Sequence, residues 1–341
     1  MNRKIKFGLI GCGKIAERHA EYINQKAELT GVCDIIHGKA KSLGDKYHAS
    51  SYASLESLLE HQPEMDILSV CTPNGLHAEH SIKAFRSGKH VLCEKPMALT
   101  VKDCEKMIRE AENANRRLFI VKQNRFNPPV AALKDLLDKK MLGEIFSFQM
   151  NCFWNRNNEY YRESDWKGTK SLDGGILYTQ FSHFIDLLHW FFGDVTRVRA
   201  QTGNFHHRDI IEFEDTGSAI LEFESNILGC INFSINSFKR NMEGSLTVFG
   251  EKGTVKIGGQ YLNTLEYQMI DNFQVAVPQS SNPANDYGFY QGSMSNHDKV
   301  IENVVDVLNH SGRVSVTGME GLKTVQIIER IYASAEHPGH E

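Results

Sequence analysis

Short apolar runs alternate with segments of helical character over the first third of the chain. The runs predicted as strands are Ile5–Ile10, Leu29–Cys33, Ile67–Cys71, His90–Cys93 and Leu118–Val121. They are rich in Val, Ile, Leu and Cys and show little alternation with polar residues. Strands buried on both faces of a parallel sheet have this composition, because helices cover the two faces. The pattern predicts a parallel α/β domain over residues 1–124.

The pattern changes after residue 124, and from Thr196 to about Val277 apolar segments follow one another with no helix between them. Ala219–Glu224 and Ile227–Ile235 alternate in part between apolar and polar residues, which predicts an open, mostly antiparallel sheet. The predicted helices of this part are Pro129–Lys139, Tyr178–Phe192, Asn296–Leu308 and Met319–Ala335. We therefore expect an α+β domain over residues 125–341, with the final helix a candidate to pack back on the first domain.

Composition excludes several functional classes. The 38 Lys and Arg residues nearly balance 42 Asp and Glu residues, for a net charge of −4, which argues against nucleic-acid or membrane-surface binding. There is no run of 18 apolar residues, and the basic start precedes too short an apolar stretch for a signal peptide. Seven scattered cysteines without a Cys-x-x-Cys pair predict reduced thiols in a cytoplasmic protein.

A glycine motif follows the first predicted strand. Gly11, Gly13 and Ala16 form G-x-G-x-x-A at the start of a helix, and the second strand ends in Asp34. Gly11 allows the tight turn, and Gly13 allows the backbone to approach a pyrophosphate at the helix N-terminus. Asp34 can accept hydrogen bonds from ribose hydroxyls and would repel a 2′-phosphate, so NAD is favoured over NADP. We also expect Lys14 and Ile15 to contact the cofactor.

Polar residues also follow two later strands, where ligands bind in open α/β sheets. Thr72, Asn74 and His77 follow the strand that ends at Cys71, and we predict that they contact the cofactor. The alternative for His77 is a surface position at a helix start. Glu94-Lys95-Pro96 follows the next strand and would hold the Lys95 ammonium near the nicotinamide. Glu94 is also a predicted cofactor contact. Taken alone, Lys95 is better explained as a solvated surface lysine.

The order of these motifs, continued by Gly174-Gly175 and His183-x-x-Asp186, resembles the glucose–fructose oxidoreductase/inositol dehydrogenase (Gfo/Idh/MocA) family. The resemblance covers nearly the whole chain. It implies an N-terminal Rossmann domain and a C-terminal domain that binds substrate and, through its sheet, a second subunit, so a homo-oligomer is expected. It also implies NAD(P)-dependent oxidation or reduction of a sugar or cyclitol carbon.

The middle of the chain carries a narrower resemblance. The segments 123–130, 160–169 and 172–177 are similar to those of UDP-N-acetylglucosaminuronate 3-dehydrogenases. This implies oxidation of the C3 hydroxyl of a UDP-sugar to a ketone by NAD, in the synthesis of surface polysaccharide precursors.

Oxidation of a secondary alcohol needs a hydride acceptor and a proton acceptor. We predict His183 as the base and Lys95 as its electrostatic partner, with the converse assignment open. The alternative for His183 is a structural histidine on an apolar helix. A metal site is not expected, because His183, Asp186 and His189 do not converge at helical spacing. Many family members have Asp where this chain has Thr179, which we predict contacts substrate through its hydroxyl.

A polar, aromatic loop at 154–170 supplies the predicted substrate contacts. Arginine binds carboxylates and phosphates with two hydrogen bonds, and aromatic rings stack on uracil or sugars. The loop is alternatively an ordinary surface loop with an aromatic anchor. The predicted substrate-binding residues are Asn124, Arg125, Arg156, Tyr161, Trp166 and Thr179.

Two other functions remain open from the sequence. One is a dehydrogenase of a free sugar or cyclitol, in which the 154–170 loop has only a structural role. The other is a non-catalytic NAD-binding regulator. It stays a candidate because Thr179 stands where many family members have aspartate.

Overall fold

The computed structural model describes residues 3–277, 283–288, 290–310 and 312–336. Its strands are β1 Lys6–Ile10, β2 Glu28–Cys33, β3 Ser50–Tyr52, β4 Ile67–Val70, β5 His90–Cys93, β6 Leu118–Ile120, β7 Ile145–Phe153, β8 Val195–Gly203, β9 Thr216–Phe223, β10 Leu228–Ser234, β11 Glu243–Gly250, β12 Gly253–Gly258, β13 Thr264–Ile270, β14 Ala284–Asp286 and β15 Gln291–Met294. Its helices are α1 Lys14–Lys26, α2 His37–Tyr47, α3 Leu55–His61, α4 His77–Arg86, α5 Val101–Asn113, α6 Pro128–Asp138, α7 Asn158–Arg162, α8 Ile176–Thr179, α9 Ser182–Phe192, α10 His297–Leu308 and α11 Gly318–Glu336.

The chain divides into two compact units. The first contains Met1–Lys122 and His297–Val325, and the second contains Gln123–Asn296 and Gln326–Glu341. The sequence prediction placed everything after residue 124 in the second domain, whereas the structure groups residues 297–325 with the first. The reason is local packing, because α10 lies against α1 and the Ile120 N–H donates to the Val316 carbonyl at 3.4 Å.

The first unit is built on a six-stranded parallel sheet in the order β3-β2-β1-β4-β5-β6. The middle strands β1, β4 and β5 are buried except at the first residue of β1 and of β5, as their apolar composition predicts, and helices separate them along the chain. The short edge strand β3, with the sequence Ser-Ser-Tyr, lacks an apolar run and was not predicted. The predicted Rossmann domain is confirmed.

A seven-stranded sheet forms the framework of the second unit, in the order β13-β12-β11-β7-β10-β9-β8. Every neighbouring pair is antiparallel except β7 and β10, which run parallel. Burial alternates along β9 and β10, so one face of the sheet is packed and the other is exposed. The predicted open, mostly antiparallel sheet is therefore confirmed.

The apolar helix predicted from Tyr178 to Phe192 is two helices, α8 and α9. Helix α8 is one turn long and follows Gly175, whose φ of +140° suits only glycine. A Cβ atom at Gly175 would also lie 2.2 Å from the Tyr332 hydroxyl, so the residue is fixed by both conformation and packing. Among the described residues, no helix has the length and apolar composition to cross a membrane.

Candidate active site

The glycine turn after β1 has the geometry of a dinucleotide-binding turn. Gly11 has a φ of +89°, and a Cβ atom there would lie 2.6 Å from the Cys71 carbonyl. Gly13 precedes α1, and no described atom lies within 4 Å of its Cβ position. The backbone at Gly13 is therefore open to a pyrophosphate, next to the N–H groups of the first helical residues, Lys14 and Ile15.

Asp34 lies beside this turn and is held by the backbone. Its Oδ2 accepts a hydrogen bond from Cys12 N and its Oδ1 accepts one from Ile36 N, each at 2.8 Å. Each carboxylate oxygen keeps a second lone pair for a ribose hydroxyl. The Ile35 side chain is 92% exposed and provides an apolar surface next to the carboxylate, which sequence reasoning overlooked. The turn, the helix start and Asp34 fit NAD.

The segment after β4 is held by His77. The buried ring lies between two carbonyl oxygens, with Nδ1 2.7 Å from that of Pro96 and Nε2 2.8 Å from that of Thr72. Burial lowers the pKa of His77. These contacts give the His77 ring a structural role, and its predicted cofactor contact stays a prediction. Asn74 is buried, and the Thr72 hydroxyl lies 3.1 Å from His80 Nδ1.

Lys95 follows β5, is half-buried and precedes Pro96 through a cis peptide bond. Its main-chain N–H donates to Glu94 Oε2 at 3.0 Å. Glu94 is buried, and its other oxygen lies 2.8 Å from His19 Nε2. Glu94 therefore contacts protein groups on both carboxylate oxygens, and its predicted cofactor contact stays a prediction. His19 was missed, and the signal was a histidine on the inward, apolar face of α1.

His183 lies in the first turn of α9 in the second unit and is buried. One turn later, Asp186 accepts two hydrogen bonds from Arg125, each at 2.8 Å. The Arg125 guanidinium also lies 4.9 Å from the centre of the Trp190 ring. Arg125 was predicted to bind substrate, but the structure pairs it with Asp186, so it fixes the helix that carries His183.

Thr179 contacts a buried carboxylate. Its hydroxyl donates to Asp173, which also accepts a hydrogen bond from Gly168 N at 2.8 Å. The Thr179 hydroxyl therefore stands where many relatives implied by the sequence have aspartate, and it is hydrogen-bonded to the Asp173 carboxylate. The predicted contact of Thr179 with substrate remains a prediction.

Arg156 is enclosed by the protein, contrary to the predicted substrate contact. Its guanidinium donates to the Asn241 side chain at 3.2 Å and to the Gln291 carbonyl at 3.3 Å. Its central carbon lies 5.1 to 5.2 Å from the ring centres of Trp154, Tyr160 and Tyr290. The arginine thus stabilises this part of the fold, because its charge is already bound by oxygen atoms and aromatic faces.

Three further predicted substrate residues differ in accessibility. Tyr161 is buried edge-on against Tyr160, and burial raises the pKa of its hydroxyl. Trp166 is half-buried. Asn124 is buried, and within the described part of the chain neither amide atom has a hydrogen-bond partner. A buried amide without partners is costly, so Asn124 is the strongest of the three candidates to bind a ligand.

The chain matches known families in both units. Residues 5–122 match the oxidoreductase family with an NAD-binding Rossmann fold, and residues 130–256 match the GFO/IDH/MocA C-terminal domain. The chain is 30% identical over 264 residues to 2,7-anhydro-N-acetylneuraminate hydratase of Escherichia coli K12, covering 75% of this chain and 68% of that protein. The chain belongs to the GFO/IDH/MocA oxidoreductase family. The predicted family, the oxidoreductase class and NAD as cofactor are thereby confirmed.

Two solved GFO/IDH/MocA structures are similar over almost the whole chain. The WlbA dehydrogenase of Bordetella pertussis, in complex with NADH and UDP-GlcNAcA, is 34% identical with a TM-score of 0.87 and covers 98% of this chain and 97% of that chain. The WlbA dehydrogenase of Chromobacterium violaceum, with the same two ligands, is 35% identical with a TM-score of 0.88 and covers 98% and 95%.

Proposed function

We propose that this GFO/IDH/MocA protein is an NAD-dependent dehydrogenase that oxidises a ring hydroxyl of a nucleotide sugar, the C3 hydroxyl of UDP-N-acetylglucosaminuronic acid (UDP-GlcNAcA). The observation that carries the proposal is the whole-length similarity to the two WlbA dehydrogenases in complex with NADH and UDP-GlcNAcA. The glycine turn and Asp34 support the cofactor, and the ketone product suits a later aminotransferase step in surface polysaccharide synthesis.

Lys95 and His183 are the proposed catalytic residues. The glycine turn and Asp34 would hold NAD, which when bound would supply the hydride acceptor at nicotinamide C4. His183 accepts the hydroxyl proton, so the C–H and O–H bonds are replaced by a C=O bond. The Lys95 ammonium stabilises the negative charge that develops on the oxygen. Lys95 belongs to the first unit and His183 to the second, so their pairing stays a prediction.

The surroundings of His183 support its role as a base. The buried Arg125–Asp186 ion pair fixes α9 one turn after His183. The Asp173–Thr179 hydrogen bond fixes the preceding helix. A base held in one orientation needs less reorganisation to reach the transition state.

The position of Arg156 favours a second candidate, a dehydrogenase of a free sugar or cyclitol. Protein oxygens and aromatic rings surround much of its guanidinium, which leaves less of Arg156 for a substrate carboxylate or diphosphate than the sequence predicts. A substrate without those groups needs no such arginine.

A substrate panel separates the two candidates. NADH formation is followed by absorbance with UDP-GlcNAcA, UDP-GlcNAc, free N-acetylglucosaminuronic acid and inositol. Turnover that requires both the uridine diphosphate and the carboxylate supports the first candidate, and equal turnover of the free sugars supports the second. Lys95→Ala and His183→Ala should each abolish turnover while NAD binding is retained.

The exposed face of the large sheet supports a homo-oligomer. Ile220 on β9 and Leu228 on β10 are each 49% exposed, and Met269 on β13 is 67% exposed. Such apolar side chains on an open sheet face are typical of a subunit interface. Ile220→Lys combined with Leu228→Lys should shift the mass measured by light scattering to that of a monomer. An unchanged mass would exclude this sheet face as the subunit interface.

A reducing, cytoplasmic location is part of the same proposal. All seven cysteines are free thiols, and Cys33, Cys71 and Cys93 are buried in the first unit. Secreted proteins normally oxidise cysteines in pairs.

A further inference from the structure

A buried cluster of two histidines and a glutamate lies next to Lys95 in the first unit. His19, Glu94 and His297 are 0%, 4% and 1% exposed. Glu94 Oε1 lies 2.8 Å from His19 Nε2 and 3.5 Å from His297 Nε2. The two imidazole rings are 5.4 Å apart. The three side chains come from α1, the end of β5 and the start of α10, so they join three separate elements.

The two oxygens of Glu94 have different partners. Oε1 faces the imidazoles, and Oε2 accepts the hydrogen bond from Lys95 N at 3.0 Å. The chain of contacts continues behind His19, where Nδ1 lies 2.8 Å from the Ser69 hydroxyl on β4. The Glu94 carboxylate is therefore held on one side by imidazole and holds the backbone of Lys95 on the other.

The charges in the cluster balance. Although burial opposes ionisation, the hydrogen bond with His19 and the nearby His297 imidazole hold the pKa of Glu94 well below its usual range. Burial also disfavours a cation at His19, but Cys71 and Glu94 outweigh it and raise the pKa of His19 to about 10. Burial lowers the pKa of His297. These directions favour opposite charges on His19 and Glu94, and such pairing offsets part of the cost of burying each charge.

We propose that the His19–Glu94–His297 cluster is a positioning device for Lys95, in which Glu94 fixes the lysine backbone by accepting its main-chain N–H. The proposal rests on the proposed function, in which Lys95 acts on the substrate oxygen. A displacement of about 1 Å at a catalytic group can cost on the order of 100-fold in rate, so a rigid backbone anchor matters. The imidazoles keep the carboxylate charged and in place.

Two conservative substitutions separate the length of the side chain from its charge. Glu94→Gln keeps a carbonyl oxygen at the distance needed for Lys95 N–H and removes the charge. Glu94→Asp keeps the charge but is one methylene too short to reach both partners. The exposed Glu56, which pairs with Lys83, provides the matched control as Glu56→Asp.

The first measurement is hydrogen exchange of the Lys95 main-chain N–H, followed by mass spectrometry of the peptide that contains it. We expect protection in the wild-type protein, in Glu94→Gln and in Glu56→Asp, and loss of protection in Glu94→Asp. This readout requires no substrate. If the wild-type protein oxidises no sugar while this pattern holds, the proposed function fails and the anchoring of Lys95 stands.

The second measurement is turnover with the substrate that the panel identifies. We expect Glu94→Gln to keep kcat within about threefold of wild type and Glu94→Asp to lose about 100-fold in kcat, with NAD affinity little changed in both. Wild-type protection and turnover in Glu94→Asp would overturn the proposal. So would a loss of turnover in Glu94→Gln with wild-type turnover in Glu94→Asp, because charge alone would then be responsible.

Metal analysis provides an independent check. The His19, Glu94 and His297 ligand atoms all lie within 4.8 Å of one another, an arrangement that also suits a divalent cation. We expect no stoichiometric metal in the purified protein, because Glu94 Oε1 is already engaged by His19 Nε2 at 2.8 Å. One metal ion per chain that is lost in His297→Ala would overturn the proposal.

Discussion

The Arg125 guanidinium donates two hydrogen bonds of 2.8 Å to the Asp186 carboxylate, and both side chains are buried. Breaking a buried ion pair on one side leaves an uncompensated charge and typically costs about 3–5 kcal/mol. Arg125→Leu should therefore lower the free energy of unfolding by about that amount. Because Asp186 lies one turn after His183, kcat should fall as well.

Urea unfolding measures this loss, and the exposed Arg86–Glu110 pair provides the control. Arg86→Leu should leave the unfolding midpoint almost unchanged, since exposed pairs contribute little. If Arg125→Leu were as stable as Arg86→Leu, Asp186 would have to find another partner, and the role assigned to Arg125 would be wrong.

Gly11 and Gly13 should respond differently to the same substitution. Gly11→Ala places a Cβ 2.6 Å from the Cys71 carbonyl at a φ of +89°, so it should destabilise the protein by about 1–3 kcal/mol. Gly13→Ala meets no described atom within 4 Å, so its melting temperature should be unchanged. Its methyl group would instead occupy the approach to the pyrophosphate and weaken NAD binding.

Melting curves and NAD titrations by calorimetry test this pair. NAD binding to Gly13→Ala with the wild-type affinity would show that the pyrophosphate does not lie over this turn.

Asp34 should determine the choice between NAD and NADP. Its carboxylate lies beside the glycine turn and would repel a 2′-phosphate. Asp34→Asn keeps an acceptor of the same size without the charge. We expect the ratio of NAD to NADP affinity to fall by about tenfold, which corresponds to about 1.4 kcal/mol. Fluorescence titration with NADH and NADPH gives the ratio, and an unchanged ratio would remove Asp34 from cofactor selection.

The stability of the second unit should depend on pH through Glu214. Burial raises the pKa of Glu214 from the ordinary 4.5 to about 7. Between these values the folded state binds more protons than the unfolded state, so stability falls as the pH rises from 4.5 to 7. Its Oε1 accepts from the Tyr332 hydroxyl at 2.6 Å and from Ile176 N at 3.2 Å.

Glu214→Gln keeps an acceptor for both donors and has no proton to lose. The variant should therefore be more stable than wild type at pH 8 and lose this part of the pH dependence, whereas the exposed Glu224→Gln should behave like wild type. Urea midpoints at pH 5 and pH 8 give the comparison. A steeper fall with pH in Glu214→Gln than in wild type would contradict the assignment.

Local motifs made much of the fold predictable. Gly11 and Gly13 lie in the tight turn after β1 and Asp34 lies at the end of β2, and both features are readable from neighbouring residues. The parallel and antiparallel sheets followed in the same way from the order of apolar and polar residues along the strands. The edge strand β3 carried no such signal.

Side-chain partners across long separations were not predictable. Arg156 looked suited to an anion, but its role depends on Asn241 and Tyr290, which reach it only in the folded unit. Likewise, His19 and His297 meet at Glu94 only because α10 packs on α1. A residue's chemistry indicates what it is able to bind, whereas tertiary packing decides which partner it meets.

The most direct test of the proposed reaction follows the hydrogen that is transferred. UDP-GlcNAcA carrying deuterium at C3 is incubated with the wild-type protein and NAD, and the reduced cofactor is examined by mass spectrometry. We expect the wild-type protein to form NADH with one deuterium and a 3-keto sugar. Lys95→Ala and His183→Ala should form neither product. Reduced cofactor without deuterium, or a deuterated sugar that is returned unchanged by a folded protein that binds NAD, would contradict the proposed reaction.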